Sequence, residues 1–120
     1  SVKPNVEQML MAFAQEVQQL RDLGVKDIIL DPGFGFGKTL DDNYRLMAEM
    51  DKLQVLGLPL LVGVSRKSMI FRLIGGDPTT SLNGTTVLHA ISLLKGGNIL
   101  RVHDVKEAVE CVSIFQKLKY

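Results

Sequence analysis

Val6, Met9, Leu10, Phe13, Val17 and Leu20 recur at three- and four-residue spacing, with Glu7, Gln15, Gln18 and Arg21 between them. That period gathers the apolar set on one stripe and predicts a helix over 5–23, stopped by Gly24. The pattern then changes. Asp27-Ile28-Ile29-Leu30 is a short β-prone run ending at Asp31-Pro32. A second helix is predicted over 41–53, where Thr39 and Asp42 have the spacing of a capping box. Leu58 to Val64 is apolar or glycine at every position except Pro59, as expected of a parallel strand covered on both faces. A short helical piece over 65–74 is broken by Gly75-Gly76-Asp77-Pro78. The next helix, 81–95, carries Val87, Leu88, Ala90, Ile91, Leu93 and Leu94 on more than one stripe. It is expected to be heavily buried, in part against another subunit. A last strand over 98–102 leads into a last helix, with Asp104 and Glu107 again at capping-box spacing and Val105, Val109, Val112 and Phe115 as its apolar stripe.

Helices and all-apolar strands alternate, which predicts an α/β fold with a parallel sheet. Three parallel strands are too few to close a barrel, which takes eight strands and about 250 residues. Left open, they expose two edges around a very apolar centre. Residues 1–120 are therefore expected to form one partial domain: three parallel strands with flanking helices, the C-terminal portion of a (β/α)8 barrel whose N-terminal portion is absent. The composition agrees with a core-forming chain, at 46% hydrophobic and 22% charged residues. The net charge of +1 offers no footprint for nucleic acid or an anionic membrane. One cysteine, Cys111, allows no internal disulfide and fits a reducing compartment; cytoplasm is the expectation.

Polar and glycine-rich clusters follow each strand: DPGFGFGKT at 31–39, GVSRKS at 63–68 and RVHD at 101–104. Strand ends leading into helices are where (β/α) proteins build active sites. Asp31 can accept hydrogen bonds from an amidine-like ligand edge, or serve as a turn-forming residue before Pro32 and Gly33. The loop from Gly33 to Lys38 lacks the spacing of a nucleotide-binding loop. Its alternating Phe34 and Phe36 are expected to wall a flat substrate, the other reading being a plug beneath the mouth. Lys67 can reach into that mouth while Arg66 points outward. Strand alternation puts Arg101 and His103 on one side, a pairing suited to an anion such as phosphate. His89 and Cys111 read as structural.

Taken together, these three clusters closely resemble dihydropteroate synthase in content, order and spacing, over essentially the whole chain. The resemblance implies a barrel that joins 6-hydroxymethyl-7,8-dihydropterin pyrophosphate to p-aminobenzoate, releasing 7,8-dihydropteroate and pyrophosphate in folate synthesis. Sulfonamides would compete with p-aminobenzoate. It assigns the pterin to Asp31, Gly63 and Lys67, the p-aminobenzoate to Phe36, Lys67 and Ser68, and the pyrophosphate to Arg101 and His103. Asp31, Lys67, Arg101 and His103 would be the catalytic set. The resemblance further implies a homodimer and Mg²⁺, whose ligand would come from the missing N-terminal half, so the isolated chain is expected to be inactive.

Two other readings compete. A methyltetrahydrofolate-binding barrel of a corrinoid methyltransferase shares the pterin chemistry. However, a methyl donor has no need of the cations in SRKS and RVHD. A non-catalytic binding or assembly fragment is the third.

Overall fold

The computed structural model describes residues 5–35 and 37–119. Helix α1 spans Val6–Asp22 and opens on a capping box, with Asn5 Oδ1 accepting the Gln8 N–H at 2.7 Å. Helix α2, Leu40–Glu49, opens on the predicted Thr39–Asp42 box. Its continuation, Met50–Leu56, tightens to 3₁₀ geometry before Gly57 turns left-handed at φ 67°. Strand β1 is Leu61–Val62 and β2 is Ile99–Leu100. Helix α3 covers Ser68–Ile74, α4 Leu82–Leu94 and α5 Val105–Leu118.

The regular sheet is shorter than the sequence predicts. β1 and β2 pair in parallel, Leu61 with Ile99 and Val62 with Leu100. The 27–30 run contributes only a parallel bridge, Leu30 to Leu60. Three parallel segments therefore lie side by side, with the apolar 60–64 run in the middle. Leu60, Val62 and Val64 are fully buried there, alongside Met50 and Leu53. Centrality explains the difference in order: the middle run has partners on both edges, whereas Ile29 on the outer run is 54% exposed.

α4 buries Leu88, His89, Ser92 and Leu93 but leaves Val87 and Leu94 exposed, so only one side packs on the core. One helical expectation, the cap of α5, is corrected. α5 has no side-chain cap. Asp104, at the capping position, spends both carboxylate oxygens on Arg66 instead. The α5 stripe residues Val105 and Val109 are exposed and, with Val112 and Phe115, line an open apolar groove of about 540 Å³ beside β2. No helix among the described residues is long and apolar enough to cross a membrane.

Candidate functional site

All three segments run in parallel, so their following loops emerge at one rim of the sheet. Asp31 follows the first. Its Oδ1 accepts the Gly33 N–H at 2.9 Å, the turn that Asp-Pro-Gly favours, and the residue remains exposed. The expected aromatic wall is half overturned. Phe34 is 2% exposed and belongs to the core, so it plugs the loop from beneath. Phe36 lies outside the described residues. Asn43, on α2, receives the Gly35 N–H at 2.7 Å and holds the glycine loop down.

Lys67 crosses beneath this loop. Its Nζ donates to the Phe34 carbonyl at 2.6 Å. Its stem runs so close to Gly35 that a Cβ there would sit 3.2 Å from Cδ. Burial, then the charge of Arg101, pushes the Lys67 ammonium below its ordinary value; Asp31 opposes the shift and Lys38 adds to it. The Lys67–Phe34 bond ties the loop after β1 to the loop that begins at Asp31. Lys38 donates to the Gly33 carbonyl.

Arg101 and His103 both turn toward the loop after β1. The Arg101 guanidinium lies across Gly63, where a Cβ would be 2.6 Å from Nη2. Gly63 is thus needed for space rather than for an unusual backbone angle. His103 Nδ1 lies 2.8 Å from Ser65 Oγ, which also accepts the His103 backbone N–H at 3.3 Å. Sequence reasoning grouped Ser65 with the strand-end residues 65–68 but gave it no role of its own. The available signal was positional, since Ser65 and His103 lie equally far beyond the paired residues of β1 and β2. Ser68 is the first residue of α3, so the helical piece begins at 68 and not 65.

Arg66 is a correction. It does not point freely outward: Nε and Nη2 each donate to Asp104 at 2.9 Å, and Nη1 donates to the Pro78 carbonyl at 2.6 Å. Its backbone is left-handed, φ 56°, the one non-glycine residue so placed among those described. The Thr85 hydroxyl accepts its N–H at 2.9 Å. The Arg66 hydrogen bonds hold the Asp104 carboxyl below the usual carboxylate range. These contacts pin the loop that delivers Lys67.

His89 and Cys111 take no part. His89 is buried on α4 with Nε2 unpartnered, and burial lowers its pKa. Burial raises the Cys111 thiol, keeping it unreactive. Among the described residues no group of three or more His, Cys, Asp or Glu could hold a metal ion. The 540 Å³ groove lies beside β2 and α5, away from Asp31 and Lys67. The rim is instead an open, positively charged shelf, suited to gripping a flat polar ring and an anion together.

Residues 2–103 match the model of the pterin binding enzyme family. The chain is 42% identical over 106 residues to dihydropteroate synthase of Escherichia coli, covering 87% of this chain and 38% of that protein. A Yersinia pestis dihydropteroate synthase structure with a pterine-sulfa conjugate superposes with TM-score 0.91 at 37% identity, covering 98% of this chain and 48% of that one. The Thermus thermophilus enzyme in complex with 6HMPPP gives 0.90 at 35% identity, covering 100% and 49%. The chain thus spans less than half the length of these relatives. The fold they share is a barrel, of which these helices and parallel segments form one part.

Proposed function

The chain belongs to the pterin binding enzyme family, and from that premise we propose that it supplies one part of a dihydropteroate synthase barrel. The reaction condenses 6-hydroxymethyl-7,8-dihydropterin pyrophosphate with p-aminobenzoate to give 7,8-dihydropteroate and pyrophosphate. One observation carries the reading: Lys67 Nζ reaches the Phe34 carbonyl in the loop after Asp31, while Arg101 lies across Gly63 and His103 reaches Ser65 in the run that leads to Lys67, so the three loops meet.

In this reading the exposed Asp31 carboxylate accepts N–H groups of the pterin, each charge-assisted bond contributing about 1.5–3 kcal/mol. The Gly63 backbone and Lys67 border the ring. The second substrate, p-aminobenzoate, is held by Lys67 and Ser68, with Phe36 assigned to it by the resemblance alone. Arg101 and His103 grip the pyrophosphate. The C–O bond to pyrophosphate breaks with its electron pair leaving on the phosphate oxygen. A resonance-stabilised pterin cation remains, the amine lone pair closes the new C–N bond, and the amine proton is released. Arg101 and His103 neutralise charge as it grows on the leaving group, which is electrostatic catalysis by preorganised donors.

The resemblance also implies Mg²⁺. Its ligand, by that resemblance, would belong to the amino-terminal half of the barrel, and no step above passes through it. Competition by sulfonamides would follow from the p-aminobenzoate site. A homodimer is supported by the outer groove of α4 and α5, lined by Thr86, Ala90, Leu94, Cys111, Ile114, Phe115 and Leu118. Leu94, Ile114 and Leu118 are 68%, 68% and 74% exposed there, as expected of a face awaiting a partner. The cytoplasm is the proposed location, in keeping with the single cysteine.

The test is turnover by the 120-residue chain with and without an added amino-terminal half-barrel. The expected result is activity only for the combination. In the active combination, Lys67→Ala and Arg101→Ala should each lower kcat/KM by about 10²-fold or more. Activity from the chain by itself would contradict its incompleteness, and unchanged rates in both variants would remove the roles given to Lys67 and Arg101.

A further inference from the structure

The residues following β1 and β2 keep the register of the sheet after the backbone ladder has ended. Leu61 pairs with Ile99 and Val62 with Leu100 through the backbone. The same 38-residue separation then joins Ser65 to His103 and Arg66 to Asp104 through side chains. Gly63, between these rungs, makes room for Arg101. Two loops that would otherwise part are fastened by side chains instead of by main-chain bonds.

The Ser65 rung has a chemical consequence. Ser65 is 6% exposed, and its Oγ accepts the His103 backbone N–H at 3.3 Å while lying 2.8 Å from Nδ1. No other acceptor faces Oγ among the described residues, so the buried hydroxyl proton is satisfied only by donating to Nδ1. Donation to Nδ1 makes that nitrogen the acceptor and puts the proton of the neutral ring on Nε2. Protonating the ring reverses the bond, Nδ1–H then donating to Oγ, and Nε2 keeps its hydrogen. In both charge states the distal nitrogen is a donor. Only the opposite neutral tautomer would turn a lone pair toward an arriving anion.

We propose that Ser65 is a positioning residue for His103, fixing the tautomer and ring orientation that present Nε2–H to the anionic leaving group. This rests on the pyrophosphate role proposed above for His103. The two can fail separately, because the tautomer is read without any ligand.

The experiment uses the 120-residue chain with ¹⁵N-labelled histidine in alkaline solution, where the ring is neutral. Long-range ¹H–¹⁵N NMR reports which nitrogen carries the proton, and His103→Gln identifies the signal against that of His89. The wild-type chain and Ser65→Thr should both show the Nε2–H form at His103. Ser65→Ala should show a tautomer mixture and bind inorganic pyrophosphate about 3- to 10-fold more weakly, the loss expected for one hydrogen bond. An Nδ1–H form in the wild-type chain overturns the proposal, as does an unaltered tautomer in folded Ser65→Ala. If Ser65→Ala does not fold, the wild-type and Ser65→Thr spectra still decide it. The Nε2–H form with no pyrophosphate-induced change at His103 overturns the leaving-group role while supporting the tautomer assignment.

Discussion

Gly63→Ala should separate function from folding. A Cβ at position 63 would lie 2.6 Å from Arg101 Nη2 and 3.2 Å from Cζ and Nε. Ordinary carbon contacts begin near 3.5 Å, so the guanidinium must retreat by about 1 Å. Arg101 is exposed, so the retreat is a swing of a long side chain into solvent. The backbone at Gly63 is outside the left-handed region; alanine there should hold or slightly raise stability, by about 0.4–1 kcal/mol through the unfolded chain. The leaving-group contact suffers instead. Losing one charge-assisted contact worth about 1.5–3 kcal/mol weakens anion binding roughly 10- to 100-fold. Calorimetric titration of the chain with inorganic pyrophosphate, beside a thermal melt, reads both quantities. Unchanged pyrophosphate affinity would refute the placement of Arg101. A fall in Tm beyond about 4 °C, roughly 1 kcal/mol at this size, would show that the clash cannot be relieved by the side chain.

Gly84→Ala should behave oppositely. Its Cβ would collide with Ile70 Cγ2, and Ile70 is 3% exposed with little room to move. Overpacking of this kind costs about 1–3 kcal/mol, seen as a lowered Tm. Thr39→Ala removes the hydroxyl that accepts the Asp42 N–H at 3.1 Å and should lose about 1 kcal/mol in urea unfolding. Lys67→Met should remove one limb of the pH–stability curve. Burial and Arg101 hold the Lys67 pKa below 10.5 in the folded chain, so the folded state releases its proton before the unfolded state does. Stability then rises as pH climbs from that lowered value to 10.5. Melts across that alkaline window should show the rise in the wild-type chain and its loss in the variant; parallel curves would argue against a desolvated ammonium.

How far the sequence could be read follows the range of each signal. The Thr39–Asp42 box was legible because its two residues are three apart and each caps the other's backbone N–H. The identical spacing at Asp104 and Glu107 misled, because the Asp104 carboxylate is turned to a residue distant in sequence, Arg66, instead of the helix terminus. Phe34 and Phe36 looked equivalent in sequence. Phe34 turned into the core, in the same buried cluster as Leu30, Leu46 and Met69. The strand-end residues Asp31, Lys67 and Arg101 were proposed for the site by type and position. Ser65 was given no role of its own, since a serine carries no chemistry until its partner is known.

Register explains why these loops meet. A parallel pair with a fixed 38-residue offset delivers equal numbers of residues past each strand end at equal height. Gly63 and Arg101, Ser65 and His103, and Arg66 and Asp104 are therefore neighbours by geometry before any attraction acts. Attraction then selects which pairs hold: the ion pair fixes a left-handed Arg66 that aims Lys67 inward, while the serine–histidine pair stays close enough to the rim to serve a ligand. The same geometry leaves β2 with an open side. Val102, Val105, Val109 and Phe115 line the groove there, and an eight-stranded barrel has no free edge to leave uncovered. The stripe predicted for α5 is real, but its partner is not among the described residues, so its burial could not be realised within this part of the barrel.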